Sequence, residues 1–192
     1  MGEVYWSKVK KIAIDEIGYT EGPNNWTKYA KDLDAISYFN SPKQNVPWCC
    51  TFTAWAIWRA SDPDPKGTAL AAQYQPYKDN CGCGVSWNAR YYKDKGKFFT
   101  TPKEGDVFFT KGFNHTGFVS CVNNDGTFST IEGNHDNQVA SVLRKISDME
   151  GFGRPWYTAE PDPEPKKKMV YVDISVPEDC EVKVNIDYHQ EG

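Results

Sequence analysis

The chain has 192 residues, 39% of them hydrophobic, seven Trp and a formal net charge of −4. That is enough for one domain with a real core plus an appendage. The weak acidity excludes a general pull toward nucleic acid or anionic membrane, and no stretch approaches the ~20 apolar residues of a membrane span.

The N-terminal residues 1–8 are polar and soon amphipathic. They lack the apolar core of a secretory signal, so synthesis in the cytoplasm without a signal peptide is expected. Val4, Trp6, Val9, Ile12, Ala13 and Ile17 recur at three- and four-residue steps, which predicts a helix over 3–18 with Gly18 as its stop. Residues 20–25 are rich in turn formers, and a short second helix is expected over 26–34. The acids Asp15, Glu16, Asp32 and Asp34 do not have calcium-loop spacing and read as a solvated helix face.

A third helix begins near Cys49. Pro47 and Trp48 precede it, Phe52, Trp55 and Ala56 give it an apolar stripe, and Asp62-Pro63-Asp64-Pro65 ends it. Weaker helical patterns cover 68–74 and 86–94. From residue 104 the period changes to that of strands: 105–109, 116–122, 128–132, 139–146 and 153–157. Asn123-Asn124-Asp125-Gly126 is a hairpin turn between the second and third of these. Helices first and an antiparallel sheet afterwards predict an α+β fold. A Pro- and Lys-rich linker over 159–168 separates a domain at 1–158 from a tail at 169–192, whose two short alternating segments cannot bury a core alone.

The six cysteines are Cys49, Cys50, Cys81, Cys83, Cys121 and Cys180. They do not form a disulfide framework, and Cys81 and Cys83 have no histidine near them in sequence, so no metal is expected there. Cys49 falls at a helix start, where free N–H groups and the positive dipole end favour a thiolate and can hold an oxyanion. Cys50 is one helical step of about 100° away, so only one of the two thiols can face a given cleft; the pattern leaves them tied.

His115 opens an apolar strand, and the return strand of that hairpin ends at Glu132. Adjacent antiparallel strands bring such side chains close. A carboxylate beside an imidazole holds its tautomer and stabilises its charged form. Asn134 lies two residues beyond Glu132 and shares its face if the strand continues; either could accept from the ring. His135 competes for the base role, and His189 lies in the tail.

At these residues the sequence resembles the CHAP family of cysteine-dependent amidohydrolases and peptidases, which cleave peptidoglycan. The motifs are Pro47-Trp48-Cys49, then Gly105-Asp106-Val107-Phe108-Phe109 with His115-Thr116-Gly117-Phe118-Val119, then Ile131-Glu132-Gly133-Asn134, and at the end Gly151-Phe152-Gly153-Arg154-Pro155. Ile17-Gly18-Tyr19, the segment 24–30 and the segment 87–92 are similar to a subgroup from phages and prophages of Gram-positive gut bacteria. The likeness covers about residues 5–158.

The resemblance implies a papain-like α+β fold. It implies Cys49 as nucleophile, His115 as base, and Glu132 and Asn134 as polar residues that orient the histidine or steady the transition state. Trp48, Phe113 and Tyr91 are expected to pack against glycan or peptide. Calcium-dependent members carry acids just before the nucleophile; residues 41–46 have none, so no metal or other cofactor is expected. The implied partner is bacterial peptidoglycan, and the implied activity is that of an endolysin-like amidase or endopeptidase released by a phage-type route. The rival expectation is a wall-binding or phage structural protein on the same fold without catalysis.

Overall fold

In the computed structural model, which describes residues 3–36, 42–61 and 84–161, four helices precede and flank a single antiparallel sheet. The helices are α1 (Trp6–Asp15), α2 (Lys28–Asp34), α3 (Cys49–Ala60) and α4 (Val85–Asp94). The strands are β1 (Phe98–Phe99), β2 (Val107–Thr110), β3 (Thr116–Val122), β4 (Thr127–His135), β5 (Gln138–Lys145) and β6 (Met149–Gly153), in the order β1-β6-β2-β3-β4-β5. This is the expected α+β class. Met1–Glu160 make one compact unit. The helix expected at 68–74, Cys81, Cys83, most of the linker and the tail lie outside the described residues.

Each helix forms where its local chemistry allows. α1 buries Val9 and Ala13, two residues one turn apart. It is shorter than its 3–18 pattern, because Tyr5 is already extended and Gly18 turns away at φ +93°. Thr27 caps α2 by accepting from the Ala30 N–H at 3.1 Å. α3 is buried almost all round, from Cys49 to Ile57, because α1 and α2 pack on one side of it and β3 and β4 on the other.

The strand alternation sorts apolar side chains into two clusters. Val107, Phe109, Phe118, Ile131 and Val139 face the helices. Phe108, Val119, Phe128, Met149 and Phe152 form a second cluster on the opposite face. β6 lies earlier than the pattern at 153–157 suggested: residues 149–153 pair with β1 and β2, and the chain is irregular after Gly153. Arg154 then donates two hydrogen bonds of 2.8 Å to buried Asp106, fastening the end of β6 to the start of β2.

Of the acids read as a solvated face, Asp15 is exposed as expected, whereas the other three hold partners. Asp32 accepts from the Trp55 indole at 2.9 Å, Glu16 accepts from the Tyr29 hydroxyl at 2.7 Å, and Asp34 pairs with buried Lys43 at 3.2 Å. Among the described residues, no helix is long and apolar enough to cross a membrane.

Candidate active site

Cys49 is the first residue of α3, and Trp48 is its N-cap with non-helical φ and ψ of −115° and 17°. Trp48 is held hard. Its ring is fully buried beside Tyr29, and its indole N–H donates to Glu21 at 2.5 Å. Glu21 is fixed in turn by its N–H, which donates to the Asn137 carbonyl between β4 and β5 at 3.0 Å. The start of α3 is thereby tied to the sheet end where β4 turns into β5.

His115 immediately precedes β3. Its N–H donates to Thr110 Oγ1 at 3.1 Å and its carbonyl accepts from the Thr110 N–H at 3.2 Å, which closes the β2–β3 connection. The ring Nε2 donates to Glu132 Oε2 at 2.7 Å, and the same ring is near enough to Cys49 to lower its thiol. Since Nε2 is engaged by Glu132, Nδ1 is the nitrogen left for the thiol. His115 therefore stands between a sulfur and a carboxylate.

Glu132, in β4, is completely buried. A bare carboxylate could not be held there at tolerable cost; this one is saturated. Oε1 accepts from Thr130 Oγ1 and from Arg144 Nε, while Oε2 accepts from Arg144 Nη2 at 2.6 Å as well as from His115. The Arg144 grip is a bidentate fork, reaching back from β5.

Two glycines make room for this arrangement. A Cβ on Gly133 would lie 2.4 Å from Phe52 Cβ and 2.8 Å from the Trp48 ring, so the start of α3 sits directly on the β4 backbone there. A Cβ on Gly117 would lie 2.8 Å from the Ile131 carbonyl and 3.0 Å from Glu132 Cγ. The bare Gly117 leaves the Glu132 side chain its space.

The charges follow from these contacts. Burial alone would push the Glu132 carboxyl up, but hydrogen bonds from Arg144, His115 and Thr130 outweigh it and hold the group down at about 2. Burial alone would lower His115, but its bonds to Cys49 and Glu132 raise it to about 9. A hydrogen bond from Cys50 lowers the Cys49 thiol most; burial opposes, and His115 lowers it further, leaving it well below its ordinary value. A thiolate at Cys49 and an imidazolium at His115 are the mutually consistent pair at neutral pH. Such a pair can attack a carbonyl carbon and return a proton to a leaving amine.

Other expected residues fall differently. Asn134 sits at φ +58°, where the β4–β5 register slips between Glu132 and His135, so regular alternation does not carry from Glu132 to Asn134. Among the described residues, Asn134 makes no side-chain hydrogen bond to the His115 ring. Trp48 has no exposed surface and Tyr91 is 9% exposed against Trp156, so both serve the core rather than a ligand. Trp48 caps the start of α3 and Tyr91 lies in the second half of α4, and both belong to the main core cluster. Phe113 stays partly exposed at φ +53° in the turn before His115.

His135 converges on the same carboxylate, with Nδ1 3.6 Å from Glu132 Oε2. His115, Glu132 and His135 offer ligand atoms within 4.8 Å of one another. A cation there would meet the Arg144 guanidinium already bound to both Glu132 oxygens, so the donor set fits a hydrogen-bond network better than a metal.

Arg144, Thr130 and Asn88 were not singled out in the sequence. An arginine in an alternating strand reads as solvated; its only advance signal is that β5 must pair with the strand that ends in Glu132. Trp26, 45% exposed, was also passed over. It adjoins Thr27, whose backbone N–H and carbonyl both bond to the Gln44 side chain in the loop leading to Cys49.

Residues 41–134 match the family model of the CHAP domain. No curated protein and no solved structure matches the chain.

Proposed function

The chain carries a CHAP domain, the cysteine amidohydrolase/peptidase domain of cell-wall hydrolases, and we propose that it cleaves an amide bond in peptidoglycan with Cys49 as nucleophile and His115 as its acid–base partner. The observation that carries this reading is the His115 ring, bonded to the buried Glu132 and electrostatically coupled to Cys49 at the start of α3. Peptidoglycan as substrate class follows from the domain; the bond and the residue roles are our reading.

The Cys49 thiolate adds to the carbonyl carbon. The N–H groups at the start of α3, Cys49's own among them, stabilise the oxyanion. His115 donates its proton to the leaving amine as the C–N bond breaks, which leaves a thioester on Cys49. His115 then accepts a proton from water as that water attacks, and the thiolate is released with a carboxylate product. Glu132 stays ionised throughout and keeps the imidazolium oriented. The exposed faces of Trp26 and Phe113 supply apolar surface for sugar or peptide.

The target is the muramoyl–alanine amide or a peptide bond of the stem or cross-bridge, and the action is endolysin-like. Digestion of purified peptidoglycan, with mass spectrometry of the fragments, tests this. Free stem peptides with unsubstituted glycan chains identify an amidase, and shortened stems identify an endopeptidase. Intact peptidoglycan that binds the protein without losing mass from any fragment would overturn the reading in favour of a wall-binding protein.

A further inference from the structure

We propose that Trp26 is the platform of a sugar subsite, on which a pyranose ring of the glycan chain stacks while the Asn24 and Asn25 side-chain amides hydrogen-bond its hydroxyl or acetamido groups. This inference rests on the reading of peptidoglycan as the substrate of Cys49, and it assigns the Trp26 face to sugar rather than peptide. Trp26 is 45% exposed, Asn24 is exposed and Asn25 is half-buried. Among the described residues, neither asparagine side chain hydrogen-bonds to another group of the protein. An indole with two uncommitted amides beside it is therefore offered to solvent.

A single exposed aromatic side chain is ordinary; what sets Trp26 apart is the backbone that presents it. The Gly22 N–H donates to the Trp26 carbonyl at 2.8 Å, and the Trp26 N–H donates to the Pro23 carbonyl at 3.2 Å, so the turn closes on itself. Gly22 also backs the ring, because a Cβ there would lie 3.3 Å from Trp26 Cε3. Asn24 and Asn25 are consecutive left-handed residues, both at φ +58°. Glycine would take that conformation at lower cost. Asparagine tolerates it and adds an amide to the surface at each position.

The turn borders both halves of the catalytic arrangement. Thr20 bridges to Gln138 of β5, and the Glu21 N–H donates to the Asn137 carbonyl at 3.0 Å, in the turn that follows His135. The Glu21 carboxylate accepts from the indole of Trp48, the residue before Cys49. On the far side of Trp26, the Thr27 N–H and carbonyl bond to the Gln44 side chain at 3.1 and 2.8 Å. The turn is thus fastened both to the sheet end that carries Glu132 and to the loop that leads into α3, and a ligand meets it already ordered. Its chemistry suits a sugar ring. The apolar C–H face of a pyranose matches an indole, and amides both donate to and accept from hydroxyl and acetamido groups. A stem peptide, with its carboxylates and amines, calls for charged partners instead. Lys28, the neighbouring cation, is already held by Glu16 at 2.5 Å and lies over the Tyr19 ring at 4.8 Å.

The test is calorimetric titration of the full-length protein with peptide-free glycan chains and, separately, with free stem peptide. Every protein carries Cys49→Ala, so that neither ligand is consumed. Glycan chains bind this protein, and adding Trp26→Ala weakens that binding about tenfold. Trp26→Phe, which keeps a smaller aromatic face, recovers part of the loss. Asn24→Gly combined with Asn25→Gly preserves the left-handed backbone, removes both amides and weakens binding about threefold. No binding of glycan chains, or binding that Trp26→Ala leaves unchanged, overturns the proposal. Stem peptide that depends on Trp26 while glycan chains do not overturns it as well. Wall digestion with Cys49 intact reads the hydrolase claim separately. Hydrolysis alongside glycan binding that ignores Trp26 overturns this proposal alone, whereas glycan binding through Trp26 without hydrolysis overturns the hydrolase reading alone.

Discussion

Glu132 Oε2 lies 2.7 Å from His115 Nε2, and the carboxylate that makes this contact has no exposed surface. A buried negative charge of this kind holds a positive charge on the imidazole, so removing it must alter both stability and the pH at which the site works. Glu132→Gln keeps the shape and removes the charge. We expect the rate of wall hydrolysis to fall on the order of 100-fold or more. The alkaline limb of the pH–rate profile, set in the wild type by His115 at about 9, should move to lower pH in the variant. A profile with the limb unmoved would contradict the link between these residues.

Acid stability follows from the same carboxylate. Its folded value of about 2 lies below the ordinary 4.5. A depressed folded value contributes stability that is fully present above 4.5 and is lost as pH falls toward 2. Wild-type protein should therefore lose stability steeply over that interval. In Glu132→Gln the slope should be shallower, read as the change in denaturant midpoint with pH.

Arg144 is the counter-charge that makes the buried carboxylate tolerable. Arg144→Met leaves Glu132 without its bidentate partner, and we expect a loss of about 3 kcal/mol in unfolding free energy. Arg144→Lys keeps a charge but not the fork, so it should recover only part of that loss. Chemical denaturation of the two variants side by side measures the difference.

Gly133 and Gly117 are predicted to fail as alanines for distinct reasons. Gly133→Ala drives a methyl group into Phe52 and Trp48, at 2.4 and 2.8 Å, and must lift the start of α3 off β4. Gly117→Ala crowds the Ile131 carbonyl and the Glu132 side chain, at 2.8 and 3.0 Å. Each overpacked site should cost about 2 kcal/mol. Gly117→Ala should in addition depress the rate through Glu132, which kinetics under conditions where both variants remain folded will separate.

Much of this site was legible in the sequence because it sits at element boundaries. Pro47-Trp48 before an apolar run marks where α3 starts, and the Asn123–Gly126 turn sets β3 against β4 so that His115 and Glu132 meet. What escaped depends on contacts distant in sequence. Arg144 reaches Glu132 across a strand pair, and Asn88 reaches Cys50 from a separate helix. The slip in β4 that moves Asn134 out of alternation depends on the left-handed backbone at Asn134, Asp136 and Asn137, which asparagine and aspartate permit but do not announce. The tie between Cys49 and Cys50 was a consequence of treating side chains on one helix as independent. Asn88 of α4 donates to Cys50 at 3.3 Å, whereas Cys49 is the thiol whose charge is coupled to His115.

Clearance of purified Gram-positive cell walls by wild type, Cys49→Ala and Cys50→Ala, prepared in parallel, tests the central claim most directly. The account predicts lysis by the wild type and by folded Cys50→Ala, and none by folded Cys49→Ala. Lysis that survives in Cys49→Ala, or disappears only in Cys50→Ala, would contradict it.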